Sequence, residues 1–353
     1  MDMELLKWLE KNAFPEEAKY RDQEYALDAY ERFVEHVKKG PNTRLCVFAT
    51  IHVPGTLILM DLLEKSGLVS LVGKVNMDRN CPDYLREDNS AGSTLEWLKA
   101  FYDSNAKEPY KNTTPIITPR FIPSCSDKLL RSLAGIRNDY ALPLQSHLSE
   151  NREEVEWVKK LAPSSENYAG AYAGTGLLEG PTIMAHCVWP DENEMQLLAE
   201  KGVFVAHCPQ SNINLSSGIA PVRRFLDRGI PVGLGSDIAG GVHTSIYRAM
   251  SDAIQVSKLR QTLVSPAEKA LTLEEAFYLG TAGGGSFFGK LKNIDAGSAG
   301  SFEAGWDFDA LIIDDGAFTF LVKRNLRDRL ERVVYLSDRR NIIEKYVRGV
   351  SVF

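Results

Sequence analysis

Histidine and carboxylate residues recur where apolar runs of this chain come out into polar sequence. In LPLQSHLSENREEV an apolar run ends in His147, Glu150 follows three residues later, and a charged helical pattern begins at once. An imidazole can hold a cation, and a carboxylate beside it can move the protons of a cation-activated water. A lone histidine at a strand end is more often structural, so the pair gains meaning only from its neighbours. Side chains alternate along a strand, which puts Gln145 and His147 on one face, with Glu150 on the loop beyond. His186 and His207 occupy the similar frames MAHC and VAHC. Adjacent strand residues face opposite ways, so an HC pair cannot hold one metal, and no CxxC or HxxxH supports a Cys/His zinc site. The cysteines read instead as small apolar residues packed against helices. Asp237 closes VGLGSD, and the glycines at 240–241 bend the chain near its carboxylate. Arg120, in TPRF, carries a fork of donors suited to a carbonyl or carboxylate, or is a plain surface arginine. GLGSDI lacks the last glycine of a dinucleotide fingerprint. GGG at 283–285 lacks the Lys and Ser/Thr of a phosphate loop and reads as a helix break.

The elements that must position these residues alternate in type. Seven short, nearly continuous apolar runs, 44–52, 70–78, 114–121, 142–150, 182–187, 203–208 and 231–237, have the texture of strands buried on both faces of a parallel sheet. Between them lie helix signals. Asp191 and Glu194 have capping-box spacing with Gly202 as a stop, PVRRFLDRG ends at Gly229, and Thr272 and Glu275 repeat the capping arrangement. Strand–helix alternation predicts an α/β fold. His52, Asp78, Arg120, His147, Glu150, His186, His207 and Asp237 all fall at C-terminal strand ends, where an α/β barrel keeps its chemistry. A closed barrel of this class has eight strands, one more than the sequence offers. Trp97 and Phe101 are expected in the core. After about residue 288 the stretches GSFEAGWDFDALIIDDGAF and RVVYLSDRRNIIEKYVRGVSVF read as short strands joined by turns. The expected division is therefore 1–290 for the barrel and 291–353 for a small β-rich module.

The 353 residues are 44% hydrophobic and 25% charged, with a net charge of -6, which suits a sizeable core. A mildly acidic chain without a dense basic run argues against a nucleic-acid partner. No apolar run reaches the roughly 18 residues of a membrane helix, and the start, MDMELLKWLEKN, does not have the pattern of a signal peptide. Five cysteines without a CxxC pair suit a reducing compartment, so a cytoplasmic location is expected.

At these motifs the sequence resembles the guanine deaminases of the amidohydrolase superfamily. The matching segments are ATIH (49–52), TPRF (118–121), QSHLSENREEV (145–155), MAHC (184–187), AHCPQSNINLSSG (206–218), GLGSDIAGG (233–241) and GSFEAGWDFDALII (300–313). The resemblance covers essentially the whole chain. It implies a TIM-like (β/α)8 barrel with part of a β-sandwich after it. It also implies hydrolysis of guanine to xanthine and ammonia, one Zn2+ per chain with Fe as the alternative metal, and a homodimer. The implied roles are His147 as a metal ligand, Glu150 as proton shuttle, and His186 either ligating the metal or lying over the water. Asp237 would ligate the metal and orient or deprotonate the water. Arg120 and Phe121 would hold the purine, with Arg120 on its carbonyl edge, and His207 and Asn212 would shape the pocket.

The family places an HxH pair at the end of its first barrel strand. Here no two of the six histidines stand two residues apart, and the opening MDMELLKWLEKNAFPEEA resembles the segment that follows that strand. The expectation is a chain without the first strand, the N-terminal sandwich portion and the HxH pair, and hence weakened zinc binding and two unpaired sheet edges. Two other functions stay open: a non-catalytic relative that binds a purine or a partner protein, and a deaminase of another aminated heterocycle.

Overall fold

The computed structural model describes residues 3–292, 295–318, 322 and 324–353. The expected division at 290/291 thus has positions 1–2, 293–294, 319–321 and 323 outside the described residues. Seven parallel strand runs appear in the order read from the sequence. They are β1 (Arg44–Phe48), β2 (Val69–Gly73) continuing as β3 (Val75–Asn76), β4 (Thr113–Pro115) continuing as β5 (Thr118–Pro119), β6 (Leu144–Leu148), β7 (Thr182–His186), β8 (Phe204–His207) and β9 (Val232–Leu234). β1 pairs with β2 and β2 with β4, β3 pairs with β5, and β6 through β9 pair in sequence. A parallel bridge between Ile117 and Leu144 joins the two halves. Helices follow the strands, including Val53–Ser66, Ser90–Asn105, Asp127–Asp139, Arg152–Leu161 and Glu192–Glu200. Their apolar faces meet the sheet in one core that includes Leu59, Leu63, Trp97, Leu133 and Phe225, each fully buried. Each such side chain contributes roughly 1.5–3 kcal/mol relative to an exposed one.

The sheet curves enough for Gln145 Nε2 to donate across its interior to the carbonyl of Val47 in β1, at 3.0 Å. Gly73 lies where a Cβ would sit 1.7 Å from Thr118 Oγ1, so the β2–β3 bend is packed directly on the neighbouring strand. Among the described residues, β1 and β9 each pair on one side only. A groove of about 610 Å³ touches both of them, with Leu45, Phe204, Leu234, Tyr247 and Leu311 among its walls. Among the described residues this is a (β/α) barrel left open between β1 and β9.

A three-stranded antiparallel sheet, β10 (Ala310–Ile313), β11 (Ile342–Val347) and β12 (Val350–Ser351), follows the barrel, as the resemblance implies. It is tied back by Arg44 of β1, which reaches Asp309 at 2.9 Å, Asp307 at 2.7 Å and the Gly297 carbonyl at 2.6 Å. Buried Lys345 of β11 donates to the carbonyls of Val37, Lys38 and Asn42 where the helix Gln23–Lys38 ends.

Two expectations need correction. RVVYL is not a strand: it ends the helix Leu326–Leu336, capped by Asn325 accepting from the Asp328 amide. Leu330, Val333 and Val334 share a helical face that packs on Met250 and Ala276, so a 3.6-residue period overrides the β-branched composition. GGG at 283–285 does not break the helix either. A π-turn over Leu279–Gly283 carries the chain on helically, and Gly284 packs against Gly233 of β9 so closely that a Cβ on Gly233 would meet it at 3.0 Å. These glycines serve backbone-to-backbone approach.

Candidate metal and catalytic site

β6, β7 and β9 deliver three donors to one place. His147 is the fourth residue of β6, His186 the last residue of β7, and Asp237 follows β9 by three residues. Their ligand atoms all lie within 4.8 Å of one another. Parallel pairing sets Leu148 opposite His186 and His147 opposite Ala185. His186 (φ 73°) and Asp237 (φ 46°) both sit in the left-handed region that non-glycine residues seldom occupy. Such strain at the converging residues fits a functional site. The Gly241 amide donates to the Asp237 carbonyl at 2.6 Å and completes the turn expected from the glycine pair.

The hydrogen bonds assign the imidazole nitrogens. His147 Nδ1 donates to the Arg120 carbonyl at 2.7 Å, and His186 Nδ1 donates to Asn212 Oδ1 at 2.9 Å. Both rings therefore keep the Nε2 lone pair for the shared space, the arrangement used by metal-bound histidines. His186 Nε2 is buried without a hydrogen bond. It lies 3.3 Å from Glu150 Oε2, close enough for attraction but outside hydrogen-bond geometry. The two rings stack at 5.4 Å with 16° between planes, and Phe48 covers His147 at 4.5 Å. Burial, then the neighbouring His186, pulls His147 down to about 4, so it is a neutral donor at pH 7. Burial also disfavours the charged form of His186, but the Glu150 and Asp237 carboxylates outweigh it and the net direction is up. An unpaired basic nitrogen beside two carboxylates and a neutral imidazole suits a divalent cation.

Glu150 is buried beyond the bend at Ser149 (φ 48°), and burial is the main cause that raises it to about 7. Its Oε1 accepts from Ser217 Oγ at 3.2 Å. The loop that carries it is fixed from behind by two buried carboxylates. Glu154 accepts from the Glu150 and Asn151 amides and from Tyr168 Oη, and forms a capping box with Asn151. Glu194 accepts from Ser149 Oγ at 3.0 Å and from the Ala169 amide at 2.6 Å. Asp191 caps its helix as the spacing predicts, but Glu194 does not return the capping bond, because its side chain braces this loop.

Arg120 contributes two groups. Its carbonyl fixes His147, and its guanidinium Nη1 pairs with Glu17 at 2.5 Å. Phe121 is buried with its ring edge-on to Trp157, at 6.4 Å. His207 is buried near His186 with neither ring nitrogen bonded, and burial lowers it to about 3. Two strand-end residues do not join the cluster. Asp78 accepts from the backbone and hydroxyl of Ser126, and His52 is the N-cap residue of the helix Val53–Ser66. The cysteines are all free, and Cys125 and Cys187 sit in the core as expected, like Trp97 and Phe101. Sequence reading missed Glu17, Ser217, Glu154 and the bracing role of Glu194. Asn151 and Glu154 have capping spacing that would have flagged the third, but Glu17 lies 103 residues from its partner and no local signal marks it. No helix among the described residues is long and apolar enough to cross a membrane.

Comparison with known proteins places the chain in a family. The family described as the amidohydrolase family matches residues 2–352. A guanine deaminase of Dictyostelium discoideum is 39% identical over 355 residues, which is 99% of this chain and 77% of that protein. The guanine deaminase of Homo sapiens is 38% identical over 363 residues, covering 100% and 78%. A crystal structure of guanine deaminase from C. acetobutylicum, with guanine bound in its active site, superposes with a TM-score of 0.93 at 44% identity. That match covers 100% of this chain and 81% of the other.

Proposed function

We propose, from the premise that this chain belongs to the amidohydrolase family and is similar along its length to guanine deaminases, that it hydrolyses guanine to xanthine and ammonia. The observation that carries the reading is the convergence of His147, His186 and Asp237 within 4.8 Å, beside a buried Glu150. These residues would hold the metal; zinc suits two imidazoles and a carboxylate, and iron is the alternative for the same ligands. When bound, such an ion brings the pKa of water to about 7 and makes hydroxide available at neutral pH.

The rest is the work of the chain's own groups. Glu150, raised to about 7, is poised between its two protonation states at neutral pH. It takes a proton from the attacking water and passes it to the purine ring nitrogen. The hydroxyl now on the attacked carbon gives up the water's second proton, which Glu150 passes to the amine as the C–N bond breaks, leaving the xanthine carbonyl and ammonia. Asp237 orients the water. Arg120 binds the carbonyl edge of the base, and Phe121 and His207 shape the apolar walls of the pocket. The homodimer and the cytoplasmic location implied by the resemblance belong to the same proposal.

The test is direct. The 353-residue chain, loaded with Zn2+ and given guanine, should form xanthine and ammonia in equal amounts. Guanine bound tightly without ammonia release would instead support a non-catalytic purine-binding relative. Turnover of another aminated heterocycle in preference to guanine would overturn the substrate.

A further inference from the structure

We infer that Glu17 is the positioning residue for Arg120, and through it a determinant of purine affinity. The inference rests on the proposed role of Arg120 at the substrate. Glu17 belongs to the short helix Phe14–Ala18 and is 8% exposed. Its Oε2 lies 2.5 Å from Arg120 Nη1, while its Oε1 accepts from the Ile51 amide at 3.3 Å. The guanidinium sits over the Phe14 ring at 5.1 Å, and Nη1 also approaches Met77 Sδ at 3.7 Å. The other end of Arg120 is equally fixed, since its carbonyl accepts from His147 Nδ1 and from Ser146 Oγ at 3.1 Å.

A buried carboxylate needs a charge or several donors to be tolerated, and Arg120 is the cation that Glu17 has. The pairing also stops a long, rotamer-rich side chain from moving. Only Nη1 is engaged, so Nε and Nη2 have no protein partner among the described residues and stay available to a planar ligand. A cation held in advance binds with less ordering cost than one that must be found.

The experiment measures guanine affinity of the full chain by calorimetry, with KM and kcat alongside, for wild type, Glu17→Gln, Glu17→Asp, Arg120→Ala and the double variant E17Q/R120A. Glu17→Gln should weaken guanine binding by about tenfold, a 1.4 kcal/mol effect, with KM rising in step and kcat within about twofold. Glu17→Asp, which keeps the charge, should recover part of the loss. The double variant should bind no more weakly than Arg120→Ala alone, because the two residues act as one unit. A merely structural Glu17 would lower the melting temperature of Glu17→Gln and leave the affinity of the folded protein unchanged, which would overturn the inference. Should Glu17→Gln not fold, Glu17→Asp is read by the same criterion, a loss of affinity without a loss of kcat. If Arg120→Ala binds guanine like wild type, the substrate role of Arg120 fails. If Arg120→Ala weakens binding and neither Glu17 variant does, only the present inference fails.

Discussion

Two imidazoles hold their Nδ1 protons away from a shared space, one against a backbone carbonyl and one against an amide oxygen. Removing the amide should release the second ring. Asn212→Ala is expected to cost about 10–100-fold in metal affinity, measured by zinc titration with a chelator competitor, while circular dichroism stays unchanged. In the proposed reaction Glu150 moves protons and is not a ligand, so Glu150→Gln should leave the zinc titration as it was and lower xanthine formation by about 10²–10⁴-fold. Loss of zinc binding in that variant would reassign Glu150 to the ligand set. At this scale the sequence was informative where chemistry and element boundary coincide. His147, Glu150 and Asp237 stand at abrupt changes from apolar to polar composition, and the structure brings them together. Glu17 and Ser217 reach the site only because the fold brings distant segments together, 103 and 67 residues from their partners, and no periodicity encodes such distances.

The strands were legible because burial on both faces demands unbroken apolar runs, and every run read from the sequence contains a strand of the sheet. Less legible were segments whose role is set by what packs against them. RVVYL is β-branched yet helical because Leu330, Val333 and Val334 have a surface to cover, and the triple glycine continues a helix because β9 lies against it. Glu194 belongs to the same group, being a capping residue by spacing and a loop brace in the fold. Burial raises its pKa from 4.5 to about 7, against the pull of the Ala169 amide and the Ser149 hydroxyl. The folded protein therefore holds a proton that the unfolded chain releases near pH 4.5, so stability falls as pH rises from 4.5 to 7. Glu150, raised the same way, adds to that slope. Glu194→Gln should make the slope of melting temperature against pH shallower by one proton across this window, and identical slopes in the two proteins would refute the assignment. Gly73→Ala forces a Cβ to within 1.7 Å of Thr118 Oγ1. The β2–β3 bend would have to open, with a cost of about 1–3 kcal/mol, visible as a lower denaturation midpoint.

At the scale of the molecule, charged contacts help to join the barrel and the terminal sheet. Arg44 places its guanidinium between Asp307 and Asp309, with only 5% of its side chain exposed. Arg44→Ala leaves those carboxylates unmatched in a largely buried setting and should lower unfolding stability by about 3–5 kcal/mol, read by chemical denaturation. The barrel itself is stiff only where each strand has two neighbours. Along β1 and β9 alternate peptide groups face the groove with no ladder partner among the described residues. Backbone protons there can trade with solvent deuterium through small local openings, whereas those of β7, clasped by β6 and β8, must await a much larger one. The barrel's two outermost staves should therefore label first.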